Sequence, residues 1–229
     1  MRGALFVAFT ALLAIFVYRL ISVLSTKRVE KRREADEPCR VAIFLGSGGH
    51  TTELLQLLSA LPPKRYTPRL YIISEGDRFS RAKAIEHEAS WSLPNDSDGG
   101  GSQQKQQPAH YSFVELPRAR KVHQSFLSAP ASVVLALAAC MRQFVWKRTE
   151  LDVILMNGPG TCVPIMLTVY VQRFCGMHSP RLIYVESFAR VRTLSLTAKL
   201  LRPFVDRFVL QWPQNPSVSG ADVHKSWLV

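Results

Sequence analysis

Acidic residues are scarce in this chain, cysteines are few, and zinc-type cysteine spacings are missing. Its four cysteines, Cys39, Cys140, Cys162 and Cys175, form no C-x-x-C pair, and all but Cys39 fall in apolar runs where cysteine acts as a small hydrophobe. This argues against a disulfide framework and against a metal site. The 17 Asp and Glu are outnumbered by 29 Lys and Arg, a net charge of +12 over 229 residues. Such an imbalance calls for an anionic partner: nucleic acid, a membrane surface or a phosphorylated substrate. The basic residues lack the aromatic interleaving of a nucleic-acid module, so nucleic acid is set aside. With 47% hydrophobic residues, the chain can bury one core, and a single domain is expected.

Charge is almost absent from one segment, Gly3 to Leu24, which is apolar except for Arg19 near its end. About 20 helical residues cross the ~30 Å hydrocarbon core of a bilayer, so this stretch is long enough to span it. Arg19 lies within about two turns of the end, where its stem can snorkel to the interface. A cleaved signal peptide fits less well, because the apolar run exceeds the ~7 to 15 residues of an h-region and Ser25 makes a poor cleavage site. Lys27, Arg28, Lys31, Arg32 and Arg33 follow the segment and only Arg2 precedes it. The positive-inside rule then leaves the amino terminus outside and everything from Lys27 onward in the cytosol.

Beyond a basic linker, residues 26–38, apolar β-type runs alternate with helical patterns. Strands are expected at Arg40–Leu45, Arg69–Ser74, Tyr111–Leu116, Leu151–Asn157, Arg181–Ser187 and Asp206–Trp212. Helices are expected at Thr52–Leu61, stopped by Pro62 and Pro63, at Asp77–Ala89 with Asp77 as cap, at Pro130–Arg148, from Val163 to Gly176, and at Thr193–Arg202. The strands are continuous apolar runs without alternation, as expected when helices cover both faces of a parallel sheet. The fold class is therefore α/β: a single Rossmann-like, doubly wound parallel sheet behind one transmembrane helix. It spans residues 39–213, interrupted by a polar low-complexity insertion at 93–109 that reads as disordered, and a tail follows at 214–229. The helix from Pro130 is unusually apolar, but its core, Ala131–Met141, is about half the length of a span, so it reads as buried or partly in contact with the membrane.

In such a sheet, ligands bind beyond the carboxyl ends of the strands. Three polar clusters fall there. Gly46, Ser47, Gly48, Gly49 and His50 follow the first strand, and a helix starting near Thr51 aims its positive dipole end at the same place. Asn157, Gly158, Pro159 and Gly160 follow the fourth strand, with Thr161 at the next helix start. Glu186 to Arg192 follows the fifth and supplies a carboxylate with two guanidiniums, Arg190 and Arg192, whose forks suit a diphosphate. The glycines can equally serve tight turns, His50 a structural hydrogen bond, and Glu186 a surface pair with Arg190. As a G-x-G-x-x-G dinucleotide fingerprint the first cluster is partial: Gly46 and Gly48 fit, Glu75 could meet a ribose, but the third glycine falls on Thr51.

The motifs GSGGHTTELLQLL, IISEGD, NGPGTCVPI, YVESFARVRTLS and FVLQWP together resemble the membrane-anchoring subunit of the eukaryotic two-subunit UDP-N-acetylglucosamine transferase. The resemblance runs from Val41 to Pro213 apart from the insertion. It is also similar, more distantly, to bacterial lipid-linked N-acetylglucosamine transferases, single chains with two Rossmann-like domains of the GT-B type. The resemblance implies the amino-terminal, acceptor-facing half of such a fold and a soluble partner subunit that brings UDP-N-acetylglucosamine. It implies addition of the second sugar to dolichyl-diphosphate-linked N-acetylglucosamine, by an inverting transferase inactive without its partner and using no cofactor. The setting it implies is the endoplasmic reticulum membrane, and in addition the nuclear envelope membrane, as a single-pass protein with its amino terminus lumenal and its soluble domain cytosolic. Gly46, Ser47, Gly48, Gly49, Thr51, Asn157, Gly158, Gly160, Arg190 and Arg192 would hold the acceptor diphosphate. His50, and next Glu186, would be the base. In the tail, Trp227, Leu228 and Val229 suit docking on the partner. The alternatives are a membrane scaffold without catalytic residues of its own, and a membrane-tethered NAD(P)-dependent oxidoreductase.

Overall fold

Alternate residues of the first strand divide the interior in two. In a computed structural model that describes residues 2–25, 37–92, 110–120, 124, 129–212 and 222–223, β1 (Val41–Leu45) is buried along its whole length. Ala42 and Phe44 enter one core and Val41, Ile43 and Leu45 the other. This is the period-2 geometry of a strand covered on both faces. On the second face, α2 (Gly49–Ser59) contributes Leu54, Leu55 and Leu58, and α3 (Arg78–Ser92) contributes Ala84. On the first face lie α4 (Ala129–Cys140), α5 (Cys162–Phe174) and α6 (Leu196–Leu201).

Among the described residues the sheet has seven strands, all parallel, in the order β3-β2-β1-β4-β5-β6-β7. The others are β2 (Arg69–Ser74), β3 (Tyr111–Leu116), β4 (Val153–Asn157), β5 (Arg181–Val185), β6 (Arg207–Leu210) and β7 (Asp222–Val223). Sequence order reverses between β1 and β4, so the crevice of this doubly wound fold opens where these two strands end. The register pairs Phe44 with Met156, which brings residues 46 to 50 beside residues 157 to 161.

Several boundaries differ from the sequence expectation, each for a local reason. β5 stops at Val185, two residues short of the expected end at Ser187, because the chain turns there and the Glu186 carboxylate takes up the Ser187 and Ser195 amides. The helix at Leu196 is only six residues long, started by the Ser195 hydroxyl, which accepts from the Ala198 amide. The long helix after Pro130 changes to π-helical winding at Met141–Trp146, where Lys147 N–H donates to Arg142 C=O. Nearby carbonyls are satisfied from outside the helix: Gln172 Nε2 donates to Phe144 O and Thr149 Oγ1 to Gln143 O, each at 2.9 Å. One side of this helix, Ala136, Cys140 and Phe144, packs into the fold, while Val134, Leu135 and Trp146 are exposed. Edge strand β7 arises within the segment read as a tail. The basic cluster at 27–33, the insertion at 93–109 and Trp227, Leu228 and Val229 lie outside the described residues.

The α1 helix (Arg2–Ser25) is apolar and long enough to cross a membrane; within it, Leu5–Leu24 is unburied. Its Arg19 does not simply reach for the interface. Nε donates to Phe174 O and Nη2 to Arg173 O, both at 3.0 Å, so the guanidinium caps the carbonyl end of α5. Phe16 packs on Phe174 with ring centroids 5.2 Å apart. A cation at a helix carboxyl end is worth up to about 2 kcal/mol in partly buried geometry. Arg19→Leu should therefore leave α1 apolar and long enough to cross a membrane but speed amide hydrogen exchange at Cys175 to Met177 by up to roughly 30-fold, read by exchange mass spectrometry.

Candidate functional site

The two glycine turns at the switch point touch backbone to backbone. A Cβ on Gly46 would lie 2.5 Å from Pro159 Cδ and 3.1 Å from Asn157 O, so nothing larger fits between the loops. Gly48 takes φ +70° and turns the chain into α2, which places His50 in the first turn of that helix. Thr51, the residue that breaks the dinucleotide fingerprint, is fully buried. Its hydroxyl donates to Gly46 O and meets Ser80 Oγ at 2.6 Å. Ser80 in turn donates to Asp77, which also caps α3 by accepting from Ser80 N at 3.0 Å. A side chain locks this loop where a dinucleotide fold needs a glycine.

His50 lies over the second turn. Gly158, at φ +98°, would carry a Cβ only 2.6 Å from His50 Cγ, so the ring rests directly on its backbone. His50 Nδ1 is 2.9 Å from Asn157 Oδ1, and Asn157 Nδ2 donates to Glu53 Oε2 at 2.8 Å. Glu53 also accepts from Ser187 Oγ at 3.1 Å and from the Phe188 amide at 3.3 Å. One carboxylate thus ties together the segments after β1, β4 and β5. The sequence reading missed Glu53, although its i, i+3 spacing from His50 puts both on one helix face.

Glu186 is 1% exposed, and both of its oxygens accept backbone N–H groups, from Ser187 at 2.9 Å and Ser195 at 3.0 Å. It staples the two ends of the 187–195 segment. The FVLQWP motif serves the same segment: Gln211 Nε2 donates to Glu186 O at 2.9 Å, Trp212 Nε1 to Phe188 O at 2.6 Å, and the Phe188 and Trp212 rings pack 4.7 Å apart. Under the second turn, Tyr184 OH donates to Gly158 O at 3.3 Å while its ring stacks on Phe208. Burial pushes its phenol well above the ordinary range and keeps it protonated.

These elements enclose a cleft of about 660 Å³. His50, Gly158, Gly160, Glu186 and Arg190 line it as the sequence suggested, joined by Arg120, whose guanidinium donates to Gln124 O at 3.0 Å. Arg120 escapes a reading of the sequence, since one Arg in a loop has no periodic or motif signal. One wall is apolar: Val133 of α4, Val163 of α5, and Leu196 and Leu200 of α6. Gly46, Asn157 and Thr51 stand behind the cleft as buried support, Ser47, Gly48 and Gly49 are exposed on the crest of the loop, and Arg192 is exposed beyond the lining. Glu75 is an exposed residue at the end of β2. The arrangement combines a half-exposed imidazole, two guanidiniums, two helix amino termini and an apolar wall. It suits an anionic ligand with an apolar portion.

A family model described as oligosaccharide biosynthesis protein Alg14 like matches residues 41–222. The UDP-N-acetylglucosamine transferase subunit ALG14 of Cryptococcus neoformans is 41% identical over 230 residues, covering 97% of this chain and 95% of that protein. The subunit of the same name from Mus musculus is 37% identical over 215 residues, 93% of each chain. Among solved structures, MurG of Acinetobacter baumannii superposes with a TM-score of 0.54 at 15% identity, over 81% of this chain and 45% of that one. The fold is thus that of the amino-terminal lobe of a GT-B structure.

Proposed function

The chain belongs to the Alg14 family of oligosaccharide biosynthesis proteins, and from that membership we propose that it is the membrane anchor and acceptor-binding subunit of a UDP-N-acetylglucosamine transferase. Its acceptor is dolichyl-diphosphate-linked N-acetylglucosamine, presented at the cytosolic face of the endoplasmic reticulum, and the product carries the second N-acetylglucosamine. A soluble subunit binds UDP-N-acetylglucosamine, and the reaction takes place between the two chains. The observation that carries this reading is the cleft itself, which His50, Arg120 and Arg190 line together with the apolar Val133, Val163, Leu196 and Leu200. A diphosphate suits the guanidiniums and the amino termini of α2 and α5, and the first isoprene units suit the wall. The apolar α1 helix and the exposed Val134, Leu135 and Trp146 favour work at a bilayer.

In the transfer, the acceptor hydroxyl attacks the anomeric carbon of the donor and must give up its proton. A base within hydrogen-bond reach is needed, and His50 is the cleft group free to take that part. Glu186 is engaged on both oxygens by backbone amides and serves to hold the Arg190 segment in shape.

Reconstitution tests the proposal. The purified full chain, given UDP-N-acetylglucosamine and a polyprenyl-diphosphate-linked N-acetylglucosamine in detergent, should transfer no sugar. Adding the soluble partner captured with the tagged chain should start inverting transfer. Robust transfer by the chain alone, or a captured complex without transfer to that acceptor, would overturn it.

A further inference from the structure

Resting on the assignment of His50 as the base, we infer that Glu53 is a positioning residue. Acting through the Asn157 side-chain amide, it fixes His50 in the tautomer with Nδ1 protonated and Nε2 free to accept a proton.

The inference follows from what each group can donate or accept. An ionised carboxylate only accepts, so Glu53 Oε2, 2.8 Å from Asn157, requires that the amide turn its NH2 toward it. The amide oxygen is then left facing His50 Nδ1 at 2.9 Å. That oxygen cannot donate, so Nδ1 must carry the hydrogen, and in the neutral ring Nε2 is the lone-pair nitrogen. Asn157 is fully buried, which removes water as a substitute partner. Gly158 beneath the ring limits its rotation. The carboxylate is itself pinned by Ser187 Oγ at 3.1 Å and Phe188 N at 3.3 Å, so the segment that carries Arg190 and the orientation of the base share one residue. Without Glu53 the amide has no reason to prefer one face, and a flipped Asn157 would offer its NH2 to Nδ1. That would put the proton on Nε2, where it blocks acceptance.

Long-range 1H–15N correlation on the full chain in detergent, labelled at histidine and run above pH 8, reads the tautomer directly, with His50→Gln assigning the signal. The wild type should show Nδ1 protonated and Nε2 bare. Glu53→Leu, which offers the Asn157 amide no acceptor, should show both tautomers. Glu53→Gln should keep the wild-type tautomer, because its amide oxygen fits the place of Oε2 between Asn157 Nδ2 and the Phe188 amide while its NH2 can donate to Ser187 Oγ. In the reconstituted complex, Glu53→Leu should lower kcat about 10²-fold, the lower end of general-base contributions, and also raise the acceptor KM as the Ser187–Phe188 segment loses its tie. A protonated Nε2 in the wild type, an unchanged tautomer in Glu53→Leu, or a mixed one in Glu53→Gln would each overturn the inference. Should Glu53→Leu not fold, the wild-type and Glu53→Gln tautomers decide the matter. Because the tautomer is read without turnover, a complex that transfers no sugar would count against the proposed function alone.

Discussion

His50→Ala should lower kcat for sugar transfer in the reconstituted complex by about 10²- to 10⁴-fold, the usual contribution of a positioned general base. The acceptor KM should change little, because the guanidiniums of Arg120 and Arg190 and the apolar wall remain in place. Stability should fall by about 1 kcal/mol, because the buried Asn157 Oδ1 loses its partner when the partly exposed ring is removed. Glu186→Gln should behave differently. Its amide would place an NH2 group against the backbone N–H of Ser187 or Ser195, loosening the segment with Arg190, so the effect should fall mainly on KM and melting temperature. Steady-state kinetics over acceptor concentration separates the two. Near-normal turnover with both substitutions would leave the chain as a scaffold.

Gly158→Ala should be nearly as damaging, although it adds a single methyl group. That methyl would lie 2.6 Å from His50 Cγ and 2.9 Å from Nδ1, far inside van der Waals contact, and φ +98° is a conformation that alanine adopts only under strain. Either the ring shifts and loses its 2.9 Å approach to Asn157, or the turn is rerouted away from Pro159 and Gly46. A displacement of the base by about 1 Å costs roughly 10²-fold in rate. Gly160→Ala is the comparison, two residues on in the same turn, where an added Cβ meets no protein atom within 4 Å but stands on the cleft lining. It should act on the acceptor KM and leave kcat close to the wild type. Equal losses of kcat in the two variants would mean that the turn, not the seat of His50, is what matters.

The sheet was legible because buried parallel strands are written as continuous apolar runs. Arg69–Ser74 and Tyr111–Leu116 match to the residue, and the first, fourth, fifth and sixth strands fall within a few residues of expectation. β7 was not, since a two-residue strand is held by main-chain pairing with β6 and leaves no side-chain pattern. The winding change at Met141 was hidden because it depends on Gln172 and Thr149 from other segments. At the site, glycines and His50 announced themselves through a loop that only glycine can build. Glu53 did not, because it looks like any polar residue on the outer face of an amphipathic helix. Its meaning appears only when β4 and β5 bring Asn157 and Ser187 to it. The opposite happened with Glu186 and Thr51: the polar types drew attention, and the fold puts their polar atoms on backbone partners.

The cleft is proposed to hold a lipid-linked diphosphate sugar. Photocrosslinking tests it most directly, using the full chain in detergent and a polyprenyl-diphosphate N-acetylglucosamine that carries a diazirine on its first isoprene unit. Saturable labelling of the wall formed by Val133, Val163, Leu196 and Leu200 is expected, competed by unlabelled acceptor and not by UDP-N-acetylglucosamine. Labelling confined to α1, or competition by the sugar nucleotide in the absence of the partner, would contradict it.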